Sequence, residues 1–577
     1  MRRGHCIGRA LFPLLAIASM CSCGRAPNDA RAADTSARSI SKSGVQQLSF
    51  DGRAKLEAYL DAALLPDLQY PDFENCRTEA REFYESAGGT LSWIVDSRPS
   101  RQAVGVIKVL QNADGEGLNP IDYDGPRWAA RLGVIDAGRA SESEYVRFDL
   151  AITISAMRYV SDLHRGRVNP RELHFDLDIE NKNFDLSGFL REKLVNADDA
   201  EAAMKTVEPP FPTYRRTVEA LRTYMKLASE PGAGFLPVPP KSVKPGDSYG
   251  EVAHLRRLLH RVGDFPDIGA ANVADSAYEG PLVAAVKRFQ QRHGLEPNGI
   301  LDLQTFKQLN TPLSDRVLQL TLTLERWRWL PHQFARPPIV VNIPEFRLYA
   351  ANEEYGEAFS MKVVVGRSYK HQTPVFAAEV KSLIFRPYWN VPLDIERSEL
   401  LPELRRDPNY LQKHGYEVVN AQDTVVSDDA VGAQVEKQLY SGKLAIRQRP
   451  GSDNALGLVK FDMPNPYDIY MHGTPATQLF SRSRRDFSHG CIRLEDPVVL
   501  AAWALRDQPE WNTERIIAAM NGDKTLRASL TRAIPVLILY GTAIVTEEGE
   551  IHFYNDIYGH DATLERALAK GYPYSAQ

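Results

Sequence analysis

Cysteine is scarce in this chain: five in 577 residues. None is spaced as C-x-x-C, which excludes a disulfide framework and a structural zinc site of the usual spacing. Net charge is also scarce, since 69 Lys and Arg against 74 Asp and Glu leave −5. A chain so near neutrality offers no global electrostatic case for nucleic acid, and none is expected as a partner. The apolar run Ala10–Met20 (ALFPLLAIASM) is about half the ~20 residues that span a bilayer. Internal repeats of 20–50 residues are absent, which excludes a solenoid or propeller. What is present is ordinary soluble composition, 43% hydrophobic and 25% charged. At about 150 residues per domain, the length calls for three or four domains.

The first cysteines belong to an address label. Arg2, Arg3 and Arg9 precede the apolar run, and Cys21-Ser22-Cys23-Gly24 follows it. This basic, apolar, small-residue order is that of an export signal over residues 1–24. It resembles a bacterial lipoprotein signal, in which the first mature residue is a lipidated cysteine. Cys23 after Ser22 fits that role better than Cys21 after Met20, and plain cleavage after Ala30-Arg31-Ala32 is the alternative. Either route implies a periplasmic protein, anchored to the membrane if Cys23 is lipidated, that keeps only Cys76 and Cys491 as free thiols.

Ordered blocks follow. Residues 25–48 read as a flexible tether rich in Ala, Ser, Arg and Asp. Over 49–229 the apolar spacing is helical, as in Leu56, Tyr59, Leu60 and Ala63, then Leu150, Ile154, Met157 and Val160. This block is expected to be a helical scaffold without chemistry of its own. The Pro/Gly-rich stretch 230–245 reads as a linker. Residues 246–310 predict three helices, built on Val252, Leu255 and Leu259, on Leu282, Val286 and Phe289, and on Leu303, Phe306 and Leu309. A connecting helix takes up 311–336. From 337 to 577 the texture is β, beginning with alternating Ile339, Val341 and Ile343. A polar, partly helical insertion at about 395–460 is expected to act as a lid. The fold class is therefore multidomain α+β.

The chemistry lies between Tyr470 and Leu494. Tyr470-Met471-His472-Gly473 is followed, after fifteen intervening residues, by Ser488-His489-Gly490-Cys491-Ile492-Arg493-Leu494. A lone cysteine in an exported protein should be oxidised or lost unless it has a task. Its nucleophilic form is the thiolate, and a neighbouring imidazole is expected to draw the thiol below its ordinary value of about 8.5. Gly490 permits a tight turn beside the nucleophile, where backbone N–H groups can hold an oxyanion. Arg482, Arg484, Arg485 and Arg493 offer bidentate sites for carboxylates. Singly, each feature has a plain structural explanation: a buried small hydrophobe, a structural histidine, a solvated basic face. Together they point to acyl transfer through a thioester on an anionic, peptide-like substrate. Such chemistry needs no metal, nucleotide or other cofactor.

This H-x(15)-S-H-G-C-x-R arrangement resembles the L,D-transpeptidase signature of the YkuD type. Val363-Val364-Val365-Gly366, Thr373-Pro374 and Pro387-Tyr388-Trp389-Asn390-Val391-Pro392 resemble catalytic strands of the large YcbB-type members, and Phe553 to Asp561 their C-terminal segment. Phe83-Tyr84, Trp93, Gly117-Leu118 and Gly166-Arg167 resemble their scaffold domain. Ala285–Leu295 with Pro297-Asn298-Gly299 resembles the type 1 peptidoglycan-binding domain, departing at Glu279 and Asp302 where glycine is usual.

The resemblance implies the roles. Cys491 is the nucleophile and His472 its base and later acid. Gly490 supplies oxyanion N–H groups, Tyr470 assists through its hydroxyl, and Gly473 orients the imidazole. Ser488 and His489 support the site, Arg485 and Arg493 bind stem carboxylates, and Tyr388 and Trp389 wall the cleft. The implied partners are peptidoglycan tetrapeptide stems, as donor and acceptor, with glycan strands at 246–310; the chain is expected to be a monomer. Two other readings stay open: a hydrolase using the same pair, and a non-catalytic wall-binding scaffold.

Overall fold

The computed structural model describes residues 47–178, 182–232, 234–266, 277–427 and 432–574. The export signal, nearly all of the tether, and Cys6, Cys21 and Cys23 lie outside the described residues. The described chain is multidomain α+β, with a helical N-terminal region, a three-helix module and a mostly-β domain carrying an insertion.

Helix Glu142–Arg165 is the axis of the N-terminal region. Its start is fixed by a reciprocal capping box between Ser141 and Glu144. Leu150, Ile152, Ile154 and Val160 are all fully buried, as expected of a helix running through a core. Phe83, Tyr84 and Trp93 pack around it. The Tyr84 hydroxyl donates to Asp149 at 2.8 Å, and the Trp93 indole donates to Thr153 at 2.9 Å.

The Gly166-Arg167 pair ties this region to the connecting helix Leu313–Arg328. Gly166 has φ +86°, and a Cβ there would lie 2.9 Å from Glu325 and from Trp329. Arg167 pairs with buried Glu325 at 3.1 Å, and Arg328 approaches the same carboxylate at 3.6 Å. Loss of Glu325 would leave two guanidinium groups buried without an acid, a strongly destabilising outcome.

In the small module, Val252–Arg261, Pro281–Arg292 and Leu303–Leu309 form the three helices around Leu255, Leu282, Phe289 and Phe306. The departures from the resemblance have local causes. Asp302 is the N-cap of the third helix and accepts from the Thr305 N–H at 2.8 Å. The left-handed position before the second helix falls on Gly280 (φ +58°), one residue after Glu279.

The β domain contains β1 (Ile339–Asn342), β2 (Arg347–Ala351), β3 (Glu357–Gly366), β4 (Phe376–Phe385), β5 (Val459–Asp462), β6 (Met471–His472), β7 (Asp486–Ser488), β8 (Ile492–Leu494) and β9 (Leu526–Leu539). The sheet order is β7-β3-β8-β6-β5-β4-β9-β1-β2, and β2 pairs back onto β3, so eight strands close a ring. Its interior holds Val363, Leu383, Phe461, Met471, Ile492 and Ile538. Between β4 and β5 the insertion builds a separate four-stranded sheet, starting with Trp389–Asn390, and several short helices. It has its own core of Leu401, Val418, Leu439 and Ile446.

Candidate active site

The site arises from strand register. β6 and β8 run parallel, with Met471 opposite Ile492 and His472 opposite Arg493. Met471 and Ile492 are fully buried in the ring interior. Alternation therefore carries His472 and Arg493, and with them Tyr470 and Cys491, to the other face. β5 adds a member that sequence reasoning missed, because Lys460 lies opposite His472. The signal for Lys460 was a single charge between Val459 and Phe461, visible only once the strand is recognised.

The turn at Gly490–Cys491 is held from below. Gly490 has φ +116°, a conformation that favours glycine, and a Cβ there would lie 2.8 Å from Ile469. Ser488 Oγ donates to the Cys491 carbonyl at 2.6 Å and accepts from the Gly490 N–H at 3.1 Å. Thr373 Oγ1 donates to the Gly490 carbonyl at 2.7 Å and accepts from the Gly366 N–H at 2.9 Å. Tyr558, from the C-terminal segment, donates through its hydroxyl to the Gly366 carbonyl at 2.6 Å and accepts from the Thr373 N–H at 3.3 Å. The C-terminal segment thus braces the turn, although no residue of it reaches the thiol.

His472 is 4% exposed. Its Nδ1 lies 2.5 Å from the Gly473 carbonyl. A carbonyl only accepts, so Nδ1 carries the proton and Nε2 the free lone pair. Burial, then the charge of Arg493, pushes the imidazole down to about 3. It is therefore neutral throughout the ordinary pH range.

The thiol departs from expectation. Burial lifts Cys491 above the usual thiol value, while Tyr470, Lys460 and Arg493 pull in the opposite direction. The imidazole cannot draw the thiol down by charge, because it is itself neutral. The resting pair is neutral thiol and neutral imidazole. The thiol donates to the Asp468 carbonyl at 3.8 Å, and Tyr470 is the neighbour that couples the sulfur to Trp389 of the insertion. Lys460 Nζ sits 4.0 Å over the Tyr470 ring, a cation–π contact that fixes both groups.

The remaining candidates divide. Arg493 is half-buried, its buried Nε has no hydrogen-bond partner, and its charge acts on the thiol. Arg485 is committed elsewhere: its guanidinium donates to the carbonyls of Val363, Phe346, Arg482 and Ser483. These bonds shape the Arg482–Arg485 loop instead of presenting a fork to a carboxylate on the thiol face. His489 Nε2 lies 2.8 Å from Glu399 of the insertion, and its ring lies 4.7 Å from that of His371. The insertion is thus fastened two residues from Cys491. Trp389 enters the site, whereas Tyr388 is 43% exposed and stacks under Arg447 at 4.2 Å.

Three family models match the chain: "Scaffold domain" over residues 78–221, "Putative peptidoglycan binding domain" over 248–309, and "L,D-transpeptidase catalytic domain" over 336–525. The last takes in Trp389, Lys460, Tyr470, His472 and Cys491 together. A Haemophilus influenzae protein named "Putative L,D-transpeptidase" is 32% identical over 251 residues, 43% of this chain and 49% of that protein. "Metalloendoproteinase 1" of Glycine max is 31% identical over 68 residues, 12% of this chain and 21% of that protein. The chain thus spans about half the length of the first of these curated relatives and about a fifth of the second. Scaffold, peptidoglycan-binding and catalytic-domain matches in this order, with the Haemophilus influenzae relative, support a YcbB-type L,D-transpeptidase.

Proposed function

We propose that the protein is a peptidoglycan L,D-transpeptidase that forms 3→3 cross-links outside the cytoplasm. The observation that carries this reading is the shared strand face of Cys491, His472, Tyr470 and Arg493, inside a domain matched to that catalytic family. The donor is a tetrapeptide stem with meso-diaminopimelate at its third position. As Cys491 sulfur attacks that residue's carbonyl carbon, His472 Nε2 takes the thiol proton. The oxyanion is held by backbone N–H groups at the Gly490–Cys491 turn, with the Tyr470 hydroxyl alongside. Collapse breaks the amide bond to D-Ala, whose nitrogen leaves with the proton from His472, and a thioester remains. The side-chain amine of a second stem then attacks the thioester, gives up a proton to His472, and restores the thiol. Arg493 meets a donor carboxylate.

Intact mass after incubation with a carbapenem tests the thioester. One adduct is expected, lost in Cys491→Ala; absence of an adduct, or its persistence in that variant, defeats the mechanism. Reaction with tetrapeptide-rich sacculi decides the outcome of the acyl-enzyme. Muropeptide analysis should show 3→3 dimers, whereas tripeptides alone would mark a hydrolase.

A further inference from the structure

A second polar cleft, of about 750 Å³, opens between the peptidoglycan-binding module and the catalytic ring. Gly294–Pro297 of the module form one wall, and the Phe480–Ser483 segment and Thr546–Glu548 form others. Its floor is the same strand face that carries the thiol. Register shows this, because Leu494 lies opposite Val363 and Arg347 opposite Lys362. Lys362 therefore faces Glu495, four residues along β8 from Cys491, a separation of about 13 Å at ordinary strand rise.

The cations on this floor are held by neutral groups more closely than by acids: Arg347 donates to Ser360 Oγ at 2.8 Å and Lys362 to the Phe480 carbonyl at 3.1 Å. Arg347 and Lys362 are like charges directly opposite on neighbouring strands, an arrangement that costs stability. Arg347 meets Glu345 only at 3.8 Å, and Lys362 meets Glu495 at 3.5 Å. Arg482 has no acid partner among the described residues and rests over the Phe487 ring at 5.3 Å. Buried Arg485 lies beside them, pushed down to about 10 by desolvation and by the charge of Arg347. Glu357, Glu547 and Glu548 supply the opposite sign around the same cleft. Such a surface suits a ligand carrying both carboxylates and an amine; a neutral glycan alone would leave these charges unmatched.

We propose that this cleft is a second, non-covalent site for a peptidoglycan stem peptide, holding the polymer while another stem occupies the thiol site. The cationic floor takes its carboxylates and the acidic residues its amine. The ligand class rests on the L,D-transpeptidase reading, whereas the charge arrangement stands without it.

The test uses the full chain with Cys491 blocked by iodoacetamide, titrated calorimetrically with a soluble disaccharide-tetrapeptide. Saturable binding is expected, weakened more than tenfold in R347E/K362E, with carbapenem acylation of the unblocked variant retained. Arg482→Glu, on the exposed rim, should weaken binding about threefold and keeps the test decisive if the double variant fails to fold. No binding to the blocked protein, unchanged affinity in these variants, or equal binding of a peptide-free glycan fragment would overturn the proposal. Failure of the transpeptidase reading shows separately, as a missing carbapenem adduct at Cys491.

Discussion

Cys76 and Cys491 carry the same side chain into opposite settings. Cys76 lies at the start of helix Arg77–Ser86, 3% exposed in the scaffold core, where burial pushes its thiol up to about 12. Cys491 is also raised by desolvation, but a tyrosine hydroxyl, a lysine and an arginine oppose the rise. Its position at the start of a short strand leaves it half-buried and open to a ligand. The difference teaches that burial alone silences a thiol. Reactivity requires burial to be offset by groups that stabilise the anion at the moment of attack.

Removing the base should strain this contrast most. His472→Gln is expected to slow carbapenem acylation by about 10²–10⁴-fold, the usual share of general base catalysis. The pH dependence should change as well. In the wild type the imidazole, held down to about 3, is already neutral at pH 5. Acylation should therefore be nearly flat from pH 5 to 8, with no inflection near 6.5. In His472→Gln only the preformed thiolate reacts, and because the thiol value is raised, the rate should climb about tenfold per pH unit over that range. Stopped-flow acylation across pH checks both; a wild-type inflection near 6.5 would contradict the neutral pair.

The next effect is that of the tyrosine and its brace. Tyr470→Phe deletes the hydroxyl beside sulfur and oxyanion and should cost about 10–10³-fold in acylation, within the range for an oxyanion donor. Trp389→Phe, which removes the indole N–H and part of its ring beside Tyr470, should cost less than Tyr470→Phe, and adding it to Tyr470→Phe should cost little more. A double-variant cycle on acylation rates reads this coupling.

How much of this was legible in sequence depends on range. The pair His472 and Cys491 was readable because its spacing, glycine and arginines lie within one short segment. The helices of the small module were readable from the apolar period of Leu255, Leu282 and Phe289. Lys460 was not, since its partnership with His472 exists only through antiparallel pairing across the ring. Trp389 was visible as an aromatic, but its approach to Tyr470 depends on how the insertion folds back. Arg485 looked like a carboxylate fork beside the nucleophile, yet its donors close a loop through backbone carbonyls. Charge identity is written in sequence; which face a charge occupies is decided by register, and one residue of shift reverses it.

Lys460 sharpens the comparison further because the cation near Cys76, Arg158, is countered by Glu79, Asp162 and Asp72. A nearby cation lowers a thiol's pKa, so its removal raises it. Lys460→Met, which keeps the packing over the Tyr470 ring, should shift the alkylation profile of Cys491 to higher pH. The rate of iodoacetamide modification at pH 8 should fall about three- to tenfold. A purely structural role would leave the profile in place while changing melting temperature.

The smallest functional effect belongs to Cys76 itself. Its sulfur lies in the cluster that contains Ala80, Phe83 and Leu60, so Cys76→Ala removes packed volume with no partner to replace it. A loss of about 1 kcal/mol in stability is expected, at the low end for a small core deletion. Carbapenem acylation and cross-linking should be unchanged. In the native wild type, iodoacetamide should label Cys491 and leave Cys76 untouched, with Cys76 becoming reactive only when denaturant opens the scaffold. Equal labelling of both thiols in the folded protein would remove the contrast at its root, because it would show that the scaffold core opens as readily as the active-site cleft.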